Sequence, residues 1–297
     1  MHDYGIHTHF ENEAQFTSDY EKVIPKGEME RALENVKQEI NRRMSTRENV
    51  GQRMRLVQDI YRPLHLEVYK FNENLLEFNA KIEKVGPEVF SMPCWKPSFV
   101  SKFMAELKHF KDSGVPHEQP NSMNKHGINL DEIGFQEFFT HLRQDYIQPL
   151  ARQLFQEPNL ELDSHKAFVI KYAMGEDEDL AAHFDNAEIT LNISLSDDYD
   201  GGELVFKQND STTKYFGYEH QIGHAILHRG SLIHEALPIT SGERWNLIIW
   251  TRSSRIRQSK CPMCQSKPQL LAAPSGTFGD GFLLQEQEIS SASCNLS

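Results

Sequence analysis

Four residues in this chain have the types and spacing to do metal chemistry together. His183 and Asp185 form a His-x-Asp pair, His234 stands about fifty residues further on, and Arg244 follows ten residues after that. On an extended strand, positions i and i+2 point to the same side, so His183 and Asp185 are expected to share a strand face and meet one ion together. Two imidazoles and one carboxylate on one side of a metal form the set that holds Fe(II) with three coordination positions open. Arg244 adds a planar, permanently charged fork that matches a carboxylate. A His-x-Asp pair alone is common by chance, and its usual place is a solvated strand end. The distant histidine and the arginine at its spacing lift this set above that background.

The elements that must position these residues are strands. Ile189, Leu191, Ile193 and Leu195 alternate with Thr190, Asn192 and Ser194, which predicts a strand over Glu188–Ser196 with one apolar and one polar face. From His165 the period is again two, with Phe168, Ile170 and Tyr172 on one side and Ala167, Val169 and Lys171 on the other. Further strands are predicted at Glu203–Phe206, Ala225–Leu227 and Trp245–Thr251, separated by Gly201-Gly202, Gly223, Gly230 and Gly242. Short strands with glycine turns behind a helical half fit an α+β chain with a jelly-roll core.

The run His183-Phe-Asp-Asn-Ala-Glu-Ile-Thr-Leu-Asn-Ile-Ser-Leu, the segment Gly201-Gly-Glu-Leu-Val-Phe, and the run from His234 through Arg244-Trp-Asn-Leu resemble the prolyl/lysyl-hydroxylase branch of the Fe(II)/2-oxoglutarate dioxygenases. The resemblance is strongest from about Pro120 to Phe282. It implies a double-stranded β-helix in which His183, Asp185 and His234 are the catalytic Fe(II) ligands. It implies that 2-oxoglutarate chelates the metal while Arg244 pairs with its far carboxylate, and that Tyr172 and Asn192 hydrogen-bond the co-substrate. It further implies O2 consumption, release of succinate and CO2, ascorbate as reductant, and hydroxylation of a C–H bond, with a protein Lys or Pro side chain as the branch's substrate. Two other readings of the same residues stay open. One is a jelly-roll scaffold or a sensor of iron or 2-oxoglutarate without turnover. The other is a zinc hydrolase using the same three ligands, in which Arg244 has no purpose.

Composition narrows the partners. The chain has 297 residues, enough for a sizeable core, and 43 acidic against 31 basic residues give a net charge of −12. That balance opposes nucleic acid or an anionic membrane as the main partner and leaves a protein or small-molecule substrate. The N-terminal Met-His-Asp-Tyr-Gly-Ile-His-Thr-His-Phe has no basic then apolar pattern of a signal peptide, and no run approaches the roughly twenty apolar residues of a membrane span. A cytoplasmic or nuclear protein is the expectation. Four cysteines, two of them in Cys261-Pro-Met-Cys264, do not make a disulfide framework. With only two ligands at hand, that Cys-x-x-Cys reads as two reduced thiols rather than a zinc site.

Three regions are expected: a mostly helical support over 1–160, the oxygenase jelly roll over 161–254, and a polar tail over 255–297. Gly5–Phe10 reads as a short strand with solvent-facing His7 and His9. Met29, Leu33, Val36, Ile40 and Met44 predict one helix, and Val68, Phe71, Leu75, Phe78 and Ile82 a second. Ser98 is the expected N-cap of a third, with Phe99, Phe103, Leu107 and Phe110 on one face and a stop near Gly114. Phe135–Phe155 reads as helix kinked or divided by Pro149. The loop Pro116–Gly127 places Asn121, Ser122 and Asn124 either in a turn or at a substrate-facing rim.

Overall fold

The computed structural model describes residues 12–38, 57, 59–71, 81–207, 215–257, 259, 271–272 and 282–283. The strict alternation in the second half of the chain builds two antiparallel sheets. The larger has eight strands, β1 (Glu83–Gly86), β2 (Val89–Pro93), β3 (Gly127–Asn129), β4 (Ser164–Ala173), β6 (Ile189–Ser194), β7 (Tyr199–Gly201), β10 (His224–Arg229) and β12 (Ile239–Arg252). Its order is β1-β2-β10-β6-β12-β4-β3, with β7 attached to β12. The smaller sheet contains β5 (Leu180–His183), β8 (Leu204–Lys207), β9 (Tyr215–Tyr218) and β11 (His234–Ala236), ordered β5-β11-β8-β9. Together they form the expected jelly roll.

Period two decides which residues face which layer. Ala167 and Val169 of β4, Leu191 and Ile193 of β6, Ala225 and Leu227 of β10, and Leu247 and Ile249 of β12 all join one core on the outer face of the large sheet. Three helices cover that face: α3 (Pro97–Asp112), α4 (Gln136–Leu142) and α5 (Gln148–Leu154). Each large apolar side chain buried here stabilises the fold by about 1.5–3 kcal/mol. The other face looks into the jelly roll, where Phe168, Ile170, Tyr172, Ile248 and Trp250 form a second cluster with Ala236 and Ile239. Strand β6 is therefore buried on both faces, and its polar residues Thr190, Asn192 and Ser194 line the interior instead of meeting water.

The described part of the first 160 residues also contains strands that the sequence does not predict. β1, β2 and β3 come from this region and extend the catalytic sheet, with β2 paired to β10 and β3 to β4. Residues 29–38 are helical (α2) and follow α1 (Glu13–Tyr20). Met29, Leu33 and Val36 pack on a small cluster of Phe16, Ile24 and Ala32, set apart from the main core. The predicted second helix is not continuous, because Leu66–Tyr69 is a single 3₁₀ turn and Ile82 leads directly into β1. Ile40, Met44, Leu75, Phe78, residues 5–10, Cys261 and Cys264 lie outside the described residues.

Helix α3 is capped two residues before the expected Ser98. Lys96 is the cap position and Pro97 takes the first turn, where its missing N–H is no loss. The helical run is divided as expected, with Pro149 in the first turn of α5. A π-turn over Arg143–Ile147 lies just before it and joins α4 to α5 across Gln136–Leu154.

Candidate active site

Pairing of β5 with β11 puts His183 directly opposite His234. Asp185 does not sit on a shared strand face with His183, as its spacing predicts. β5 ends at His183, and Asp185 lies in the link to β6, held by its backbone N–H donating to the Gly230 carbonyl at 2.8 Å. The three side chains converge all the same. The Asp185 Oδ1 is 3.6 Å from Nε2 of His183 and 3.7 Å from Nε2 of His234, and all three candidate ligand atoms fall within 4.8 Å of one another.

Each imidazole is prepared in the same way. Nδ1 of His183 donates to the Ala181 carbonyl and Nδ1 of His234 to the Leu232 carbonyl, both at 2.8 Å. Committing Nδ1–H to a carbonyl leaves the Nε2 lone pair bare and aimed at the common point, the arrangement a metal-binding histidine needs. Burial, the largest cause, lowers the His234 pKa to about 3 against the opposing pull of Asp185, so this ring is neutral. Burial by itself would raise the Asp185 carboxyl; the attraction that His234, His183 and His228 would exert when carrying a proton outweighs burial and holds it below the usual carboxylate range, so the carboxylate stays ionised beside the neutral His234 ring. The other oxygen of Asp185, Oδ2, accepts from the Thr190 hydroxyl at 2.6 Å. One oxygen is thus tied to the protein and the other is free to face an ion.

Arg244 lines the same cavity from β12. It is 1% exposed, and its guanidinium lies 5.3 Å from the centre of the Tyr172 ring. Nη2 donates to Nε2 of His220 at 2.9 Å and the Tyr199 hydroxyl also interacts with the guanidinium, while Nε and Nη1 are buried and make no well-formed hydrogen bond. A buried cation with unmet donors beside a cavity calls for an anion. Gly202 makes room for it. At φ +70 this residue has a left-handed conformation, and a Cβ there would lie 2.9 Å from Ile239 Cγ2 and 3.3 Å from Arg244 Cδ.

Tyr172 and Asn192 line the cavity too. The Tyr172 hydroxyl accepts from Asn124 Nδ2 at 3.4 Å, and burial pushes its pKa up to about 12 despite the nearby Arg244. Asn246 Nδ2 donates to Asn192 Oδ1 at 2.7 Å, which turns the NH2 of Asn192 away from Asn246. The loop before β3 also reaches the site. Asn121 and Asn124 are buried, line the cavity, and are knitted by Asn121 Oδ1 accepting from the N–H groups of Met123 and Asn124. Ser122 is not among the lining residues.

Sequence spacing gives no sign of Thr190, His220, His228 or Asn246 as site residues. Thr190 and Asn246 hide in the polar face of strands, which reads as solvated until a second sheet covers it. His228 lies on β10 with Nε2 3.8 Å from Asp185 Oδ2, and His220 follows β9; neither falls at a spacing that ties it to the triad.

Comparison with known proteins gives the family. Residues 57–159 match the OGFOD2-like domain and residues 167–252 the 2OG-Fe(II) oxygenase superfamily. The protein of Xenopus tropicalis named 2-oxoglutarate and iron-dependent oxygenase domain-containing protein 2 is 38% identical over 315 aligned positions, covering 95% of this chain and 88% of that one. This chain belongs to that family of 2-oxoglutarate and iron-dependent oxygenases. The human protein of the same name is 35% identical over 317 positions, covering 95% of this chain and 90% of that one. A mimivirus procollagen lysyl hydroxylase and glycosyltransferase is 29% identical over 62% of this chain and 21% of its own length. As a member of the family, the chain is an Fe(II)- and 2-oxoglutarate-dependent oxygenase. Among the described residues, no helix is long and apolar enough to cross a membrane.

Proposed function

We propose that His183, Asp185 and His234 hold Fe(II), that Arg244 binds the distal carboxylate of 2-oxoglutarate with Tyr172 and Asn192 alongside, and that the enzyme hydroxylates a C–H bond of a protein Lys or Pro side chain. The observation that carries this is one cavity with a bare imidazole–carboxylate set and a buried guanidinium whose Nε and Nη1 make no well-formed hydrogen bond. The donor set fits Fe(II), since two imidazoles and one carboxylate leave positions for a chelating co-substrate. When bound, the iron supplies the oxygen chemistry that turns 2-oxoglutarate into succinate and CO2 and oxidises the substrate.

The chain's own residues bind, orient and exclude water. Arg244 fixes the dicarboxylate at one end through charge-assisted hydrogen bonds in a site screened from solvent. Tyr172, whose pKa burial raises further above neutrality, supplies a hydroxyl, and Asn192 supplies the amide NH2 that Asn246 leaves free. Phe168, Ile170, Ile248 and Trp250 form apolar walls that keep bulk water from the reacting atoms. Asn121 and Asn124 form the substrate rim. A protein side chain is favoured over nucleic acid because a net charge of −12 repels phosphate. The procollagen lysyl hydroxylase named above is the relative that supports a lysine substrate. Ascorbate as reductant and a cytoplasmic or nuclear location complete the reading.

The test is titration of decarboxylation with 2-oxoglutarate at fixed Fe(II). Arg244→Ala raises the 2-oxoglutarate requirement roughly a hundred- to a thousand-fold, on the order of 3–4 kcal/mol, without loss of iron binding. Arg244→Lys recovers part of the loss, since charge survives and the fork does not. Superimposable curves for the three proteins would remove the co-substrate assignment and leave only a metal site.

A further inference from the structure

The anion end of the cavity holds a residue that neither spacing nor resemblance assigns. His220 lies in the link between β9 and β10, and its Nε2 is 2.9 Å from Arg244 Nη2. A guanidinium nitrogen can only donate, so Nε2 of His220 must be the acceptor, and the ring must be neutral with any proton on Nδ1. His220 is absent from the residues lining the cavity, whereas Arg244 is among them. The imidazole meets the guanidinium from the β9–β10 link. Its own place is fixed by Tyr218, whose ring meets it edge-on with centroids 5.4 Å apart and whose hydroxyl bonds Ser91 Oγ of β2 at 2.7 Å.

We propose that His220 is a positioning residue for the co-substrate: it accepts one Arg244 donor and thereby aims the Nε and Nη1 groups at the distal carboxylate of 2-oxoglutarate. This rests on the assignment of Arg244 made above. A buried arginine has several rotatable bonds and five N–H donors, so the carboxylate would otherwise have to order it on binding. Holding Nη2 beforehand removes that cost, and a neutral acceptor does so without cancelling the charge that binds the anion. An aspartate or glutamate at position 220 would compete with the co-substrate; an imidazole does not. Burial and the neighbouring Arg244 charge both push the His220 pKa well below its ordinary value, so the acceptor persists through the physiological range.

The test measures 2-oxoglutarate binding by calorimetry to the full-length Fe(II) protein under argon, where no turnover occurs. Wild type, His220→Phe, His220→Gln and Arg244→Ala are compared, with Fe(II) affinity measured in parallel. His220→Phe keeps a flat ring but removes the acceptor, and the dissociation constant for 2-oxoglutarate rises about ten-fold or more while Fe(II) affinity stays within about two-fold. His220→Gln, whose carbonyl oxygen can accept, recovers most of the affinity. In turnover the loss appears in KM for 2-oxoglutarate far more than in kcat. If His220→Phe fails to fold, His220→Ala carries the same comparison. Arg244→Ala losing affinity while folded His220→Phe or His220→Ala keeps it would overturn the role of His220 alone. So would equal losses in the Phe and Gln variants. Unchanged affinity in Arg244→Ala would overturn the Arg244 assignment, and the His220 proposal with it.

Discussion

At the scale of single residues, the site depends on how each polar atom is committed. Asp185 gives one oxygen to Thr190 and keeps the other for the ion. Thr190→Val keeps the shape and removes that hydrogen bond, so Fe(II) affinity falls about ten-fold or more, whereas Asp185→Ala abolishes stoichiometric iron binding. Anaerobic iron titration with a thermal melt of each variant checks both, and tight iron binding by Asp185→Ala would contradict the ligand assignment. Acidity acts through His234. Its pKa is lowered from 6.5 to about 3 in the folded, metal-free protein, chiefly by burial. Between those values the unfolded chain takes up a proton that the folded chain refuses, so stability decreases as the pH falls below about 6.5. Melting temperatures of metal-free protein from about pH 7 to pH 5 will show this slope, and His234→Gln will flatten it.

At the scale of elements, one buried carboxylate ties the early chain to the helical layer. Glu106 of α3 is fully buried and accepts from the backbone N–H groups of Leu64 and His65 at 3.2 and 2.7 Å and from the hydroxyl of Tyr69 at 3.2 Å, and it also bonds the Tyr61 hydroxyl. Burial raises the pKa of both tyrosines, with the Glu106 charge adding to it, so both remain donors. Glu106→Ala leaves these donors unmet and destabilises the protein by about 3 kcal/mol or more. The change should appear as a lower denaturant midpoint, with the 2-oxoglutarate dependence of folded enzyme unaltered. A midpoint equal to wild type would show that the segment is held by its apolar contacts alone.

At the scale of the whole molecule, the oxygenase sheet draws strands from the chain that precedes it. β2 completes its hydrogen bonding beside β10, and Arg229 of β10 pairs with Glu88 and Glu157, each at 2.6 Å. Phe99, Phe103, Leu107, Phe138 and Phe139 of the helices share one core with the sheet's outer face. A chain beginning at Leu162 would open the edge of β10 and expose that face, giving an insoluble product. Recovery of a monomeric, active fragment from Leu162 onward would show that the preceding residues are an appendage.

The sequence alone determined the strand half of the fold, because period two survives in any environment: the alternations from His165 and over Glu188–Ser196 became β4 and β6. It also marked His183, Asp185, His234 and Arg244, since ligand chemistry restricts both their types and their spacing. It did not determine how they meet. His183 and Asp185 share no strand; a β5–β11 pairing and a backbone bond to Gly230 bring the set together. Nor did it distinguish the interior polar face of β6 from a solvated one, because alternation records that the two faces differ, and only the second sheet decides which is buried. Short, non-periodic pieces were the least legible. β1, β2 and β3 have too few residues to show a period, and their strand form comes from hydrogen bonds with partners distant in sequence. His220 and Thr190 belong to the same class: their work is to hold another residue, and that relation exists only once the chain has folded.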